Sequence, residues 1–181
     1  MMHRRQPKSP LHRFFAGMAE YAFQSRLGMA DPPLIDYISD LLTRYVRMEM
    51  IYSIRDLSGR RLEDVVEMLT EATARIGNAQ REVHRHIGDF TLFWTGVYPE
   101  ALQRMRGPRK MDHFVDYCAQ GKRSYYIAST IQTDGDQNAS GEVLERLSHQ
   151  FEQCAYGLRE VRREWERRDD GPDKPLWLAT N

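Results

Sequence analysis

The chain has 181 residues, of which 41% are hydrophobic and 10% aromatic, enough apolar material for one domain with a buried core. Lys and Arg number 26, as do Asp and Glu, and the formal net charge of +0 argues against dedicated duplex nucleic-acid binding, which needs a basic excess. The two cysteines, Cys118 and Cys154, lack the spacing of a zinc site or disulfide framework, and no apolar run approaches the ~18 residues of a membrane span.

Helical periodicity dominates the chain from its N-terminus onward. After a flexible basic tail at residues 1–10, the apolar spacing predicts a helix over 11–27 with Gly28 as its C-cap. Asp31 is the predicted N-cap of the second helix, and the two prolines after it suit a first helical turn. The apolar residues of this helix recur at spacings of 4, 3, 4 and 3: Leu34, Ile38, Leu41, Tyr45 and Met48.

Three further helices are predicted in the middle of the chain. The third begins near Arg61, and Gly77-Asn78 is its favoured break, the alternative being that the helix runs on. The central helix that follows ends at Pro99. A short helix follows Pro99, and a fifth long stretch over 110–132 carries a stripe of small and aromatic residues.

The last helix, predicted over 141–168, has the most regular pattern. Its spacings alternate between 3 and 4 over three heptads, the period of a coiled coil or bundle, through Leu144, Leu147, Phe151, Cys154, Leu158, Val161 and Trp165. We therefore predict an all-α fold. It is a single-domain bundle of five to six mostly antiparallel helices over residues 11–168, with a long heptad-patterned C-terminal helix and a polar tail at 169–181.

One segment raises a chemical question, namely REVHRHIGDFTLFWTGVYPEAL at residues 81–102. On a helical wheel its large apolar residues share one face, while Glu82, His86 and Asp89 form a stripe on one flank of that face. His84 lies on the opposite flank. The segment therefore offers three candidate ligands rather than four.

A metal site at this stripe is a minor alternative. Glu82, His86 and Asp89 could touch a divalent ion, but one helix rarely completes the coordination, and no Glu-x-x-His motif of the di-iron type occurs in the chain. The reversed spacing occurs three times, at His86/Asp89, His113/Asp116 and His149/Glu152. The last two pairs point away from their apolar stripes, where an acid–histidine pair is ordinary helix decoration.

The His86/Asp89 pair has a structural interpretation and a functional one. Buried charges are normally paired, so Asp89 is expected to bind His86 or a neighbouring helix. In the functional interpretation the pair lines a polar pocket with aromatic walls, for which the candidate ligand-binding residues are His86, Asp89, Trp94, Tyr117 and Tyr125. Gly88 and Gly96 would then either allow close packing or form the pocket floor.

These features predict a cytoplasmic, non-catalytic interaction protein such as an adaptor, regulator or assembly component, and a homo-oligomer. The candidate interface residues lie on the first and last helices: Phe14, Phe15, Met18, Leu144, Leu147, Phe151, Leu158, Val161 and Trp165. The alternative is a bundle that binds a small ligand or metal at His86/Asp89, either as a binding protein or as an enzyme. No catalytic residue and no cofactor is predicted, and nucleic acid is an improbable partner.

Overall fold

The computed structural model describes residues 9–105, 107–110, 112, 115–133 and 139–168. Within these residues it is all-helical apart from one isolated antiparallel bridge between Arg55 and Arg61, so the predicted all-α class is confirmed. The α-helices are α1 (Pro10–Glu20), α2 (Pro32–Tyr45), α3 (Met48–Ile51), α4 (Val65–Ala74), α5 (Gly77–Gly96), α6 (Leu102–Met105), α7 (Tyr117–Thr130), α8 (Gly141–His149) and α9 (Phe151–Arg168). None of these helices is both long enough and apolar enough to cross a membrane.

The first helical stretch ends, and the second helix begins, where the sequence predicts, but α2 ends at Tyr45, before the predicted stripe residue Met48, which lies in α3 and is exposed. The N–H that follows Gly28 donates to the Phe23 carbonyl at 2.8 Å, and Gly28 itself has a φ of +68°, which favours glycine at a helix C-terminus. Asp31 caps α2 by accepting a hydrogen bond from the Leu34 N–H at 3.2 Å. After Glu20, α1 continues as a π-helical segment, Tyr21–Arg26, which the wheel pattern does not predict.

The break predicted near Gly77 is also present. Helix α4 ends at Ala74, and α5 begins at Gly77, whose φ is +57°. The start of α4 is four residues later than predicted, and its first turn is capped from a distant part of the chain. The carboxylate of Asp112 accepts hydrogen bonds from the N–H groups of Val65, at 2.8 Å, and Val66, at 3.0 Å.

The helix predicted over 110–132 is shorter in the structure. Helix α7 starts at Tyr117, because Asp116 serves as its N-cap and accepts a hydrogen bond from the Ala119 N–H at 3.1 Å. Asp116 is therefore a cap rather than half of a mid-helix pair, and its predicted partner His113 lies outside the described residues.

The predicted single C-terminal helix is two helices in the structure. Gln150 has φ and ψ of −110° and 25°, which separates α8 from α9. Hydrogen bonds continue on both sides, from Gln150 N–H to the Arg146 carbonyl at 2.8 Å and from Cys154 N–H to the Gln150 carbonyl at 2.9 Å. The 3-4 apolar spacing therefore continues across a break in the helix at Gln150, where the sequence has no glycine or proline to indicate one.

The candidate interface residues are mostly core residues of the single chain. Phe14 is exposed, whereas the other eight are buried: Phe15, Met18, Leu144, Leu147, Phe151, Leu158, Val161 and Trp165. The ring centroids of Phe15 and Trp165 lie 5.6 Å apart, so α1 packs on α9 instead of offering its inner face to another chain. Of the predicted interface, only Phe14 is available to a partner.

Helix α5 lies at the centre, packed against α4, α7 and α9. Its glycines allow that packing. A Cβ on Gly88 would lie 2.6 Å from the Tyr125 ring, and one on Gly96 would lie 3.0 Å from the Ala155 carbonyl oxygen of α9. Neighbouring side chains and backbone therefore fill the space that the pocket-floor interpretation would need.

We expect Gly88→Ala to lower the free energy of unfolding by about 1–2 kcal/mol. The added methyl must displace a buried ring, and this outweighs the gain in helix propensity of about 1 kcal/mol. Urea denaturation measures the change. Gly17→Ala is the matched control in α1, because nothing lies within 4 Å of its Cβ position, so it should stabilise the protein by up to about 1 kcal/mol. Equal effects of the two substitutions would show that α7 does not press on Gly88.

Candidate functional site: the Asp89 cluster

The side chain of Asp89 is fully buried in the middle of α5 and receives four hydrogen bonds. The hydroxyls of Tyr37 and Tyr125 donate to its Oδ1 at 2.6 and 2.7 Å. The Nη2 of Arg44 and the Nη1 of Arg85 donate to its Oδ2 at 3.0 and 3.1 Å. We call these five residues the Asp89 cluster, and they join α2, α5 and α7.

The cluster keeps a full negative charge in the core. Burial alone would raise the pKa of the Asp89 carboxyl, but the guanidiniums of Arg44 and Arg85 and the two tyrosine hydroxyls outweigh burial and hold that pKa below its usual value. Burial and the nearby carboxylate raise the pKa of Tyr37 and of Tyr125, so both hydroxyls keep their protons and act as donors. The carboxylate thus has two donors on each oxygen.

The two arginines are themselves held in place. Arg85 also donates from Nη2 to Glu82 Oε2 at 2.7 Å, one turn earlier on α5. The guanidinium of Arg44 lies 6.0 Å from the ring centroid of Tyr37 and 5.6 Å from that of Tyr45. Burial opposes their charged forms, but the Asp89 charge and neighbouring groups raise the pKa of both guanidiniums, and both remain protonated.

His86 lies beside the cluster with its own partners. Its Nε2 is 2.9 Å from the Ile51 carbonyl oxygen, which can only accept, so Nε2 carries the proton. Its Nδ1 is then the acceptor, 3.4 Å from the Tyr45 hydroxyl and 3.5 Å from the Ser53 hydroxyl. Burial lowers the pKa of His86 to about 4, so the ring is neutral at pH 7.

The structural interpretation of the His86/Asp89 pair is therefore favoured, in a modified form. The hydrogen bonds of Asp89 described above run to neighbouring helices and to Arg85, and those of His86 run to the segment around α3 and to Tyr45. Of the two expected partners of Asp89, His86 or a neighbouring helix, the structure shows the neighbouring helix. Asp89 and His86 each form hydrogen bonds with different residues.

Of the other predicted ligand-binding residues, only Tyr125 joins Asp89. The Tyr117 hydroxyl donates to Asp112 Oδ2 at 2.6 Å, in the group that caps α4. Trp94 is nearly buried, and its ring centroid lies 5.4 Å from that of Phe93 in an aromatic cluster near the C-terminus of α5. Trp94 and Tyr117 thus do not bind Asp89, although the ring centroids of both, like that of His86, lie 6.2–6.3 Å from the centroid of the Phe90 ring.

The alternative metal ligands do not converge either. Glu82 is bound by Arg85, Asp89 is bound by four donors, and His86 faces the Ile51 carbonyl oxygen. Among the described residues, no three His, Cys, Asp or Glu side chains are arranged to hold a metal ion. His84, on the other flank, is buried, and burial lowers the pKa of its ring.

The two cysteine thiols and the carboxylate of Glu152 show no sign of activation. Burial raises the pKa of the Cys118 thiol to about 11 and that of the Cys154 thiol to about 12, so both are protonated and weak nucleophiles at neutral pH. Glu152, predicted to be a surface residue beside His149, forms an ion pair with Lys122 at 2.8 Å.

Sequence reasoning missed Tyr37, Arg44 and Asp112. Arg85 carried a readable signal, because it lies one turn before Asp89, the spacing of a helix ion pair. Tyr37 and Arg44 lie seven residues apart and therefore on one side of α2, but nothing local connects them with an aspartate some 50 residues later.

Comparisons with protein-family models, with curated proteins and with solved structures find no significant match. The fold and site therefore define a class, an all-α protein built around a buried aspartate.

We expect Tyr37→Phe and Tyr125→Phe each to lower the free energy of unfolding by about 1–3 kcal/mol. Each removes a donor from a buried carboxylate and leaves the ring in place. Chemical denaturation checks this, with Tyr126→Phe as the control, since Tyr126 is an exposed tyrosine on the same helix. If the control were as destabilising as Tyr125→Phe, the hydrogen bond to Asp89 would not be the cause.

We expect acid to destabilise the protein through His86. The unfolded ring takes up a proton near pH 6.5 and the folded ring only near pH 4, so the unfolded state binds more protons between these values. Stability is then complete above about pH 6.5 and declines by up to about 3 kcal/mol as the pH falls to 4. Unfolding measured from pH 7 to pH 4 should show a smaller decline in His86→Gln, and the wild-type decline in the exposed-residue control His149→Gln. A His86→Gln profile parallel to that of the wild type would contradict this assignment.

Proposed function

We propose that this is a non-catalytic interaction protein, an adaptor, regulator or assembly component, which binds a second protein chain through the outer face of α1. The partner we propose first is another copy of the same chain. We also propose that it acts in the cytoplasm, which is supported by two unpaired cysteines, Cys118 and Cys154.

The interior of the protein supports a non-catalytic role. A general acid, base or metal ligand needs an atom that can reach a substrate. The hydrogen bonds of Asp89 engage both of its oxygens, and those of His86 engage both of its ring nitrogens. The alternative of an enzyme or metal protein centred on these two residues is therefore less favoured than a structural role for both.

The observation that carries the proposal is the outer face of α1 and its π-helical extension. Leu11, Phe14 and Tyr21 are each about two-fifths exposed, although all three are large apolar side chains. On a helical wheel Phe14 and Tyr21 lie about 20° apart and about 100–120° from the buried Phe15, whereas Leu11 lies at the edge of the core beside the buried Met18. Two exposed aromatic rings, Phe14 and Tyr21, side by side on the flank of a helix are typical of an interaction surface.

This face also carries the shape that a two-fold contact needs. Gly17 lies between Phe14 and Tyr21, and nothing lies within 4 Å of its Cβ position. A projecting ring and an adjacent glycine gap on one surface are self-complementary, because each copy can place Phe14 against Gly17 of the other. The face is one helix wide, so we expect a weak, concentration-dependent association rather than an obligate dimer.

We expect Phe14→Glu to weaken self-association at least about tenfold, because a carboxylate would then lie in an apolar contact. Sedimentation velocity from about 1 to 200 µM measures the association. Tyr156→Glu is the matched control, since Tyr156 is an apolar side chain of similar exposure on α9. Circular dichroism verifies that both variants fold. A wild-type protein that stays monomeric over the whole range would contradict the self-association proposed here.

A further inference from the structure

The outer side of the Asp89 cluster opens onto a cavity of about 290 Å³. It is lined by Tyr37, Asp40, Thr43, Arg44 and Arg85. Asp89 lies beneath it and is fully buried, whereas the side chains of Arg44 and Arg85 are 29% and 14% exposed to solvent. The two guanidiniums therefore form the boundary between the buried carboxylate and the cavity.

These guanidiniums converge. Both bind the same oxygen, Asp89 Oδ2, at 3.0 and 3.1 Å, so the two donor nitrogens are within about 6 Å of each other. Among the described contacts Arg44 uses one of its five N–H donors, on Asp89. Its other donors are available on a planar group that matches the oxygens of a carboxylate or phosphate.

The pair is also preorganised. Arg85 is fixed by hydrogen bonds to Glu82 and Asp89, and Arg44 by Asp89 and by the rings of Tyr37 and Tyr45. A ligand that binds here does not have to order two long side chains, which is the main entropic cost of binding to surface arginines.

The charges around the cavity limit what it can hold. The positive groups are Arg44 and Arg85, and their charges are offset by Asp89 below and by Glu82 beside Arg85. One more carboxylate, Asp40, lines the cavity, and His12 Nε2 lies 2.7 Å from one of its oxygens. The ligand must therefore gain more from directed hydrogen bonds than from net charge, and it must be small.

We propose that this cavity binds a small oxyanion, the carboxylate or phosphate group of a small metabolite, through Arg44 and Arg85. The site is separate from the outer face of α1 and does not depend on the interaction proposed for that face. Bound ligand would add acceptors to guanidiniums that already connect α2 to α5, so its binding would stabilise the fold.

The test compares the melting temperature in sodium phosphate, sodium acetate and sodium chloride at equal ionic strength. We expect phosphate, acetate or both to raise it above the chloride value by about 4 °C at roughly ten times the dissociation constant. A rise with phosphate alone identifies a phosphate site, and a rise with acetate a carboxylate site. Equal melting temperatures in all three salts would overturn the proposal.

Three variants separate binding in the cavity from a general salt effect, to which phosphate is prone. In Arg44→Gln, phosphate or acetate should no longer raise the melting temperature above the value that the same variant has in chloride. Asp40→Asn should bind the same anion about threefold more tightly, because a nearby negative charge is removed. Asp36→Asn is its control, since Asp36 is equally exposed and also near His12 but does not line this cavity.

An increment that persists in Arg44→Gln, or equal affinities of Asp40→Asn and Asp36→Asn, would also overturn the proposal. If Arg44→Gln does not fold, the comparison of the two surface aspartates decides alone. The ¹H–¹⁵N signal of Arg44 Nε in the wild-type protein gives a direct readout, because it should shift on addition of the anion and not on addition of chloride.

Discussion

The packing of α2, α5 and α7 against one another depends on one buried charge. Asp89 lies at the centre of α5 with no exposure, and a carboxylate in such a place is tolerated only when donors surround it. Tyr37 and Arg44 reach it from α2 and Tyr125 from α7, so satisfying one side chain fixes the positions of two neighbouring helices. The packing of Tyr125 against Gly88 depends on the same geometry, because its hydroxyl is fixed on Asp89 while its ring covers the glycine.

The sequence predicted those parts of the fold that rest on local chemistry. Asp31 and Gly28 lie at helix ends as expected, and the apolar spacing from Leu144 to Trp165 marks buried residues. It did not predict the interruption at Gln150, because a single residue can leave helical geometry while the hydrogen bonds on both sides persist. Nor did it predict that this spacing serves the inside of one chain, since a periodic apolar stripe is the same whether a neighbouring helix or another molecule covers it.

The candidate site was also predictable only where its contacts are local in sequence. That Asp89 had to be paired follows from its place on a largely apolar helix, and Arg85 lies at helical ion-pair spacing from it. Tyr37, Arg44 and the Asp112–Tyr117 group involve residues brought together only by tertiary structure. The buried polar groups hold the helices together, and the two binding sites that we propose are peripheral, namely the apolar outer face of α1 and the outward donors of Arg44 and Arg85.

The charge of Asp89, and not only its shape, holds α2, α5 and α7 together. The most direct measurement is the free energy of unfolding of Asp89→Asn, which keeps the size of the side chain and removes the charge shared by two guanidiniums. We predict a loss of about 3–5 kcal/mol. Asp116→Asn at the start of α7, where asparagine caps about as well as aspartate, should change stability by less than about 1 kcal/mol. A loss in Asp89→Asn no larger than in Asp116→Asn would contradict the account.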